Sequence, residues 1–247
     1  NLRNMKIFKE NESILREVNI MINHYPEIES EINKIANIIQ SIIIEKLSSD
    51  YQLVLAVLFK RIINGYNSIN LLITNGFYLE ALIVMRSAVE ARIVMTSLIK
   101  EPDKTLEKLR LLTEKNIRQF VENARDLVAD YNEINIEHLY GKNDIGIRTI
   151  ALFDYNNNQL AYEFEYSELC SIVHINKRSL EMMLVKINDK ITLAENILIN
   201  GVQPFYDRYV TEITMTFIQM YQQFKIEMDE PMYKLIDLSK KLLNINL

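Results

Sequence analysis

Only five glycines and four prolines interrupt 247 residues, and that scarcity constrains the fold more than any motif does. Glycine and proline are the strongest local punctuation a chain carries, so a sequence this poor in them makes few turns and long elements. Apolar residues recur at three- and four-residue spacing along most of the chain, the period of an amphipathic helix. The class expected is therefore all-α.

The spacing places the elements. A short helix is expected near 11–23, closed by Pro26. The stretch "EIESEINKIANIIQSIIIEKL" (27–47) repeats Ile on one face. Ser48 or Ser49 supplies an N-cap for the next long helix, which breaks at Asn75-Gly76. Residues 77–100 are apolar almost all round, as a central helix would be. Pro102 suits the first turn of a further helix running to about 131, amphipathic and partly exposed. Residues 132–159 hold two glycines and an Asn run, and predict a long connection with one helical turn. Helix is expected again from about 160 to 180. The segment 182–199 predicts either a small β-hairpin turning at Asn188-Asp189 or two broken helices. Pro204 and Pro231 open the last two helices. No internal repeat or boundary stands out, so residues 1–247 are expected to form one helical bundle of about seven to nine helices.

Charge and cysteine content exclude several classes. A net charge of −5 argues against strong non-specific nucleic-acid binding, which needs clustered Lys and Arg, while leaving room for a local basic pocket. A single cysteine rules out an internal disulfide and any Cys-based zinc site, and fits a reducing, cytoplasmic compartment. The most apolar stretch, "EALIVMRSAVEARIVMTSLI", is broken by Arg86, Glu90 and Arg92, so no membrane span is expected. Abundant Ile and Asn fit an AT-rich bacterial genome. No phosphate-cradling Gly-rich loop or dinucleotide fingerprint is present, and no cofactor is expected. No histidine has Glu three residues before it, as di-iron bundles require; Pro26 breaks the helix that would align His24 with Glu27, and His138 is expected to face solvent. No metal site is expected.

One stretch looks unlike scaffolding. "YSELCSIVH" (166–174) sets Ser167, Cys170, Ser171 and His174 within about a third of a helix circumference at ~100° per residue, with Leu169, Ile172 and Val173 on another arc and Tyr166 beside Val173. An exposed face would carry Lys, Glu or Gln; small hydroxyls, a thiol and an imidazole suit a half-buried cleft or a helix–helix contact. The natural partner is the central helix, where Arg86 and Glu90 share a face and Ser97 lies below them. If buried, each charge needs partners. Arg92 points the other way, towards an edge or a subunit contact.

"GFYLEALIVMRSAVEARI" followed by "YSELCSIVH" resembles a bacterial all-helical family, domain of unknown function 5677, over roughly residues 50–185. Its members show a Gly-x-x-x-x-Ala helix with Arg and Glu four apart, then a Tyr-x-x-Leu-Ser/Cys-x-x-x-His helix. The resemblance implies a helical bundle, occurrence near mobile elements and defence genes, and no established reaction. The shared polar positions it carries over are Arg86, Glu90, Tyr166 and His174. Cys170 stands where many members have serine.

These residues support competing readings. In the first, a stress-response or phage-defence effector cleaves RNA or nucleotides without a metal: His174 acts as general acid or base tuned by Glu90, and Arg86 offsets charge on a phosphate, with Tyr166, Cys170 and Ser171 lining the site. Helical defence ribonucleases of the HEPN group use Arg and His in this way, but place the Arg four to six positions before the His on one helix. Glu168, Leu169 and Cys170 occupy those positions here, so Arg86 and His174 would have to meet across helices. In the second, the protein is a non-enzymatic binding or regulatory module, and the Arg86–Glu90–His174 cluster is a buried network, with His174 bonded to Glu90, that holds helices in register. A Cys170–His174 nucleophile pair is a third arrangement the spacing permits. The apolar fraction can supply a homodimer interface as well as a core.

Overall fold

The computed structural model describes residues 25–125, 128–142, 144–151, 161–174, 184–187, 190–193 and 202–242; the helix expected near 11–23 lies outside them. Eight α-helices are present among these residues: α1 (Pro26–Lys46), α2 (Asp50–Thr74), α3 (Tyr78–Lys100), α4 (Pro102–Arg125), α5 (Ile147–Ala151), α6 (Ser167–Val173), α7 (Gln203–Phe224) and α8 (Glu230–Leu242). A 3₁₀ turn spans Ala129–Glu133, and a π-helical turn, Ala161–Tyr166, runs directly into α6. Strands β1 (Leu184–Ile187) and β2 (Lys190–Leu193) pair antiparallel, Leu184 opposite Leu193 and Ile187 opposite Lys190. No helix among the described residues is long and apolar enough to cross a membrane.

The local signals act where the chain needs them. Ser49 caps α2 by accepting a hydrogen bond from the Gln52 N–H, satisfying one of the orphan donors of a first turn. At the other end Gly76 takes φ 78° and the Phe77 N–H reaches back to the Leu72 carbonyl, a cap that only a residue without Cβ adopts freely. The chain therefore reverses, and α2 and α3 pack as an antiparallel pair. Pro102 opens α4 and Pro204 lies in the first turn of α7, where a missing N–H costs nothing.

α3 is the central helix: Ala81, Leu82, Met85, Ala88 and every residue from Ala91 to Leu98 are buried. Around it, α1 buries a stripe through Ile28, Ile32, Ile35, Ile39 and Ile43, and α7 contributes Tyr206, Tyr209, Ile213, Phe217 and Met220. α7 is fixed to α2 by polar as well as apolar contacts. The Tyr209 hydroxyl donates to the Ile62 carbonyl (3.1 Å), the Tyr206 hydroxyl to Asn70 (2.7 Å), and Phe59 meets Phe217 at 5.9 Å between ring centroids. α8 closes against α1 through Lys234, which reaches both Glu27 and the buried Glu31. α4 buries only Thr105, Val121 and Ala124, as expected of a partly exposed helix.

The α2–α3 approach depends on Gly65, where an added Cβ would stand 2.8 Å from the Ala88 Cβ and 3.4 Å from the Tyr209 hydroxyl. Both neighbours sit on packed helices and cannot step aside cheaply. Gly65→Ala is expected to lower stability by about 1–3 kcal/mol, the usual cost of overpacking. A separation of 2.8 Å puts the cost near the upper end of that range, so the gain in helix propensity, about 1 kcal/mol, leaves a net loss. Urea denaturation measures it, and an unchanged or raised midpoint would refute the tight contact.

Two expectations need correction. The helix carrying the motif ends at Val173 rather than near 180: His174 is its C-cap, with φ −78° and ψ 141°, and is extended. The His174 N–H still bonds the Cys170 carbonyl, so the last turn closes before the backbone becomes extended. Arg92, expected at an edge, is 8 % exposed.

Candidate functional site

The seam between α3 and the Ala161–Val173 segment holds most of the polar residues singled out in the sequence. Arg86 reaches across from α3. Its Nε–H donates to the Cys170 Sγ at 3.0 Å and its Nη2 to the Tyr166 hydroxyl at 2.9 Å, while its guanidinium carbon lies 5.0 Å from the centre of the Tyr166 ring. Tyr166 is itself stacked on Tyr162 at 5.3 Å. The Tyr166 hydroxyl then donates towards Glu90 Oε2 at 3.5 Å. Burial, followed by the nearby Glu90 carboxylate, pushes the Tyr166 phenol above its ordinary range, with Arg86 opposing. The hydroxyl therefore keeps its proton and serves as acceptor from Arg86 and donor to Glu90 at once.

Arg86 and Glu90, which share a face of α3, are thus linked by a relay through tyrosine. Neither partner that fixes the guanidinium is a carboxylate, and no carboxylate among the described residues lies within ion-pair distance of it. Arginine presents five N–H donors in a planar fork. Two are engaged, and those on Nη1 have no protein acceptor among the described residues. Arg86, Glu90, Tyr166 and Cys170 are all half-buried. The result is a positive charge held in a fixed orientation, partly desolvated and with no carboxylate in direct contact among the described residues.

The remaining motif residues sit around this core. Ser171 is half-buried and donates to the Glu168 carbonyl one turn back. His174 is exposed at the end of α6, its N–H bonded to the Cys170 carbonyl. Glu90, the partner expected for the imidazole, makes its cross-helix contact with Tyr166 instead. Ser97 is fully buried and donates to the Ile150 carbonyl of α5, a structural role. His138 is exposed.

A second polar centre was not visible in the sequence. Arg92 Nη2 contacts Glu165 Oε2 at 2.9 Å and Nη1 contacts Glu212 Oε2 at 2.6 Å, while Arg208 Nη2 lies 2.7 Å from the other Glu165 oxygen. That last contact is close but off the hydrogen-bond line, since Glu165 Oε1 and the Arg92 Nε both lack a hydrogen-bond partner. The chain of four charges joins α3, the π-helical turn and α7. Burial raises the Glu165 carboxyl above the ordinary glutamate range; Arg92 and Arg208 pull it down and Glu212 pushes it up. Arg208 and Glu212 also line an open groove of about 460 Å³, together with Pro204, Asp207, Thr211 and Leu242. The only advance signal was Arg92 itself, a charge in an otherwise apolar helix.

Comparison with known proteins adds one finding. A model of a family of unknown function (DUF5677) matches residues 52–191, more than half of the chain and the whole of the seam. No curated protein and no solved structure matches.

Proposed function

The chain belongs to the DUF5677 family of unknown function, and from the geometry of its seam we propose that it recognises a phosphate-bearing ligand, an RNA or a nucleotide, through Arg86. One observation carries this reading: a half-buried guanidinium fixed by the Cys170 sulfur and the Tyr166 phenol, with no carboxylate in contact among the described residues. Partial desolvation makes an unpaired cation costly. A bound anion would remove that cost, and the unused edge of the guanidinium offers the parallel donors that phosphate oxygens accept. The tyrosine stack of Tyr162 and Tyr166 provides an aromatic neighbour for a base.

The catalytic form of the proposal adds His174. Its imidazole is exposed immediately beyond α6, one turn from the Cys170 that holds Arg86. There it accepts the proton of an attacking hydroxyl or returns one to the leaving oxygen, while Arg86 offsets charge building on the phosphate. Glu90 is occupied with Tyr166, so it acts on the site through the phenol rather than through the imidazole. A second reading, a non-enzymatic binding module, is favoured by the two Arg86 donors already spent on pinning α6 and the π-helical turn before it.

A labelled short single-stranded RNA, incubated in the presence of a chelator, separates these. The catalytic form predicts binding and cleavage by the wild type, and binding without cleavage by His174→Ala. Binding with no cleavage by the wild type leaves the non-enzymatic module. Failure of both RNA and free nucleotides to bind would remove the phosphate reading altogether.

A further inference from the structure

The π-helical turn Ala161–Tyr166 carries the two side chains through which α3 grips this part of the chain, and they are adjacent in sequence. Glu165 faces inward to Arg92 of α3 and Arg208 of α7; Tyr166 faces Arg86 of α3. A π-helical turn is rare, uncommonly wide and marginally stable on its own, and such turns concentrate at functional sites. Something must hold it. Among the described residues, Tyr162 and Tyr166 pack on the core and Tyr166 bonds Arg86, while the charged anchors are the Glu165 carboxylate, whose side chain is 5 % exposed, and the more exposed Arg148–Glu163 pair at 3.6 Å.

We propose that Glu165 is a positioning residue: anchored by Arg92 and Arg208, it sets the rotation of the π-helical turn and thereby delivers the Tyr166 hydroxyl and ring to Arg86. The α3 helix thus clamps the turn at two points. Arg92 supplies the anchor and Arg86 receives the positioned group. Loss of the Glu165 charge lets the turn relax towards ordinary α-helical winding, which rotates Tyr166 away from Arg86 and loosens Arg86 on the Cys170 sulfur. Any effect on ligand binding rests on the phosphate reading above, because Arg86 is the residue through which a ligand would be held. The positioning itself can be followed with no ligand present.

Cys170 is the only cysteine, so an aromatic disulfide reagent that releases a coloured thiolate reads one sulfur. Arg86→Ala defines the rate of a released sulfur. Glu165→Gln is expected to move the rate in the same direction by roughly threefold or more, as coupling within one hydrogen-bonded network does. Arg208→Ala frees one Glu165 oxygen from an exposed side chain that folding tolerates, and is expected to move it the same way by less. Glu31→Gln is the control: it disrupts an equally buried carboxylate, paired with Lys34 and Lys234 between α1 and α8, and is expected to leave the rate unchanged. The proposal is overturned if Glu165→Gln and Arg208→Ala both keep the wild-type rate while Arg86→Ala does not, or if Glu31→Gln shifts it as much as Glu165→Gln. An unchanged rate in Arg86→Ala would overturn the Arg86–Cys170 contact, and with it both this proposal and the phosphate reading.

Discussion

Arg92→Ala is expected to lower the unfolding free energy by about 3–5 kcal/mol, the range for removing one partner of a buried ion pair. The residue is 8 % exposed and meets two carboxylates, Glu165 at 2.9 Å and Glu212 at 2.6 Å. Truncation leaves both acids facing the space the guanidinium filled, with Arg208 as the remaining cation and half of that side chain in solvent. Coulomb attraction to Arg208 is screened there, so it cannot take over. The cost is one of abandonment rather than of an especially favourable pair. Replacing Arg92, Glu165 and Glu212 together by Met, Leu and Leu should recover most of it, because an apolar group of similar volume avoids desolvating charge at all. Urea denaturation of the single and triple variants decides. An Arg92→Ala loss below about 1 kcal/mol, the size of a surface pair, would show that the network is solvated.

The second large effect is on binding. Arg86→Ala is expected to weaken association with a short single-stranded RNA by about 30-fold or more, the equivalent of ~2 kcal/mol for truncating one member of a charged contact. Stability should fall far less than for Arg92, by roughly 1–2 kcal/mol, since Arg86 gives up two hydrogen bonds and leaves no buried acid behind. Arg86→Lys should not restore binding. A single ammonium cannot reach the Cys170 sulfur, the Tyr166 hydroxyl and a phosphate together, whereas a planar fork can. Equal affinity of the lysine and arginine proteins in filter-binding titrations would mean that only the charge matters, and that the fixed orientation of Arg86 does not.

The two arginines lie less than two turns apart on α3 and show where sequence reasoning succeeds. Arg86 was legible because its partners belong to a compact motif: Tyr166 and Cys170 stand four apart on one helical face, and small polar groups there call for a donor. Arg92 was not, because its partners Glu165 and Glu212 look like surface acids in "AYEFEY" and "DRYVTEI". The π-helical turn compounds this. A wheel drawn at 100° per residue loses phase across Ala161–Tyr166, so the face of α6 cannot be carried back to Glu165. The end of the motif helix at Val173 had no comparable signal: β-branched pairs run through α1 and α2 as well, so Ile172 and Val173 do not mark a stop.

The architecture was legible for simpler reasons. Ser49, Gly76, Pro102 and Pro204 each act by local backbone chemistry and sit where that chemistry requires. The Ile stripe of α1 and the all-round apolar surface of α3 report burial directly. What no local rule conveys is which distant carboxylate a buried guanidinium will find.

The side-chain Nε–H resonance of Arg86, assigned by its loss in Arg86→Lys, offers the most direct test of a guanidinium fixed by a sulfur and a phenol and open to anions. In arginine-labelled protein titrated with inorganic phosphate, that signal should shift along a saturating curve while the signal of Arg92, a buried guanidinium whose terminal nitrogens already meet Glu165 and Glu212, stays in place. An Arg86 resonance that ignores phosphate in the folded protein, or one that moves no more than Arg92 does, would contradict the account.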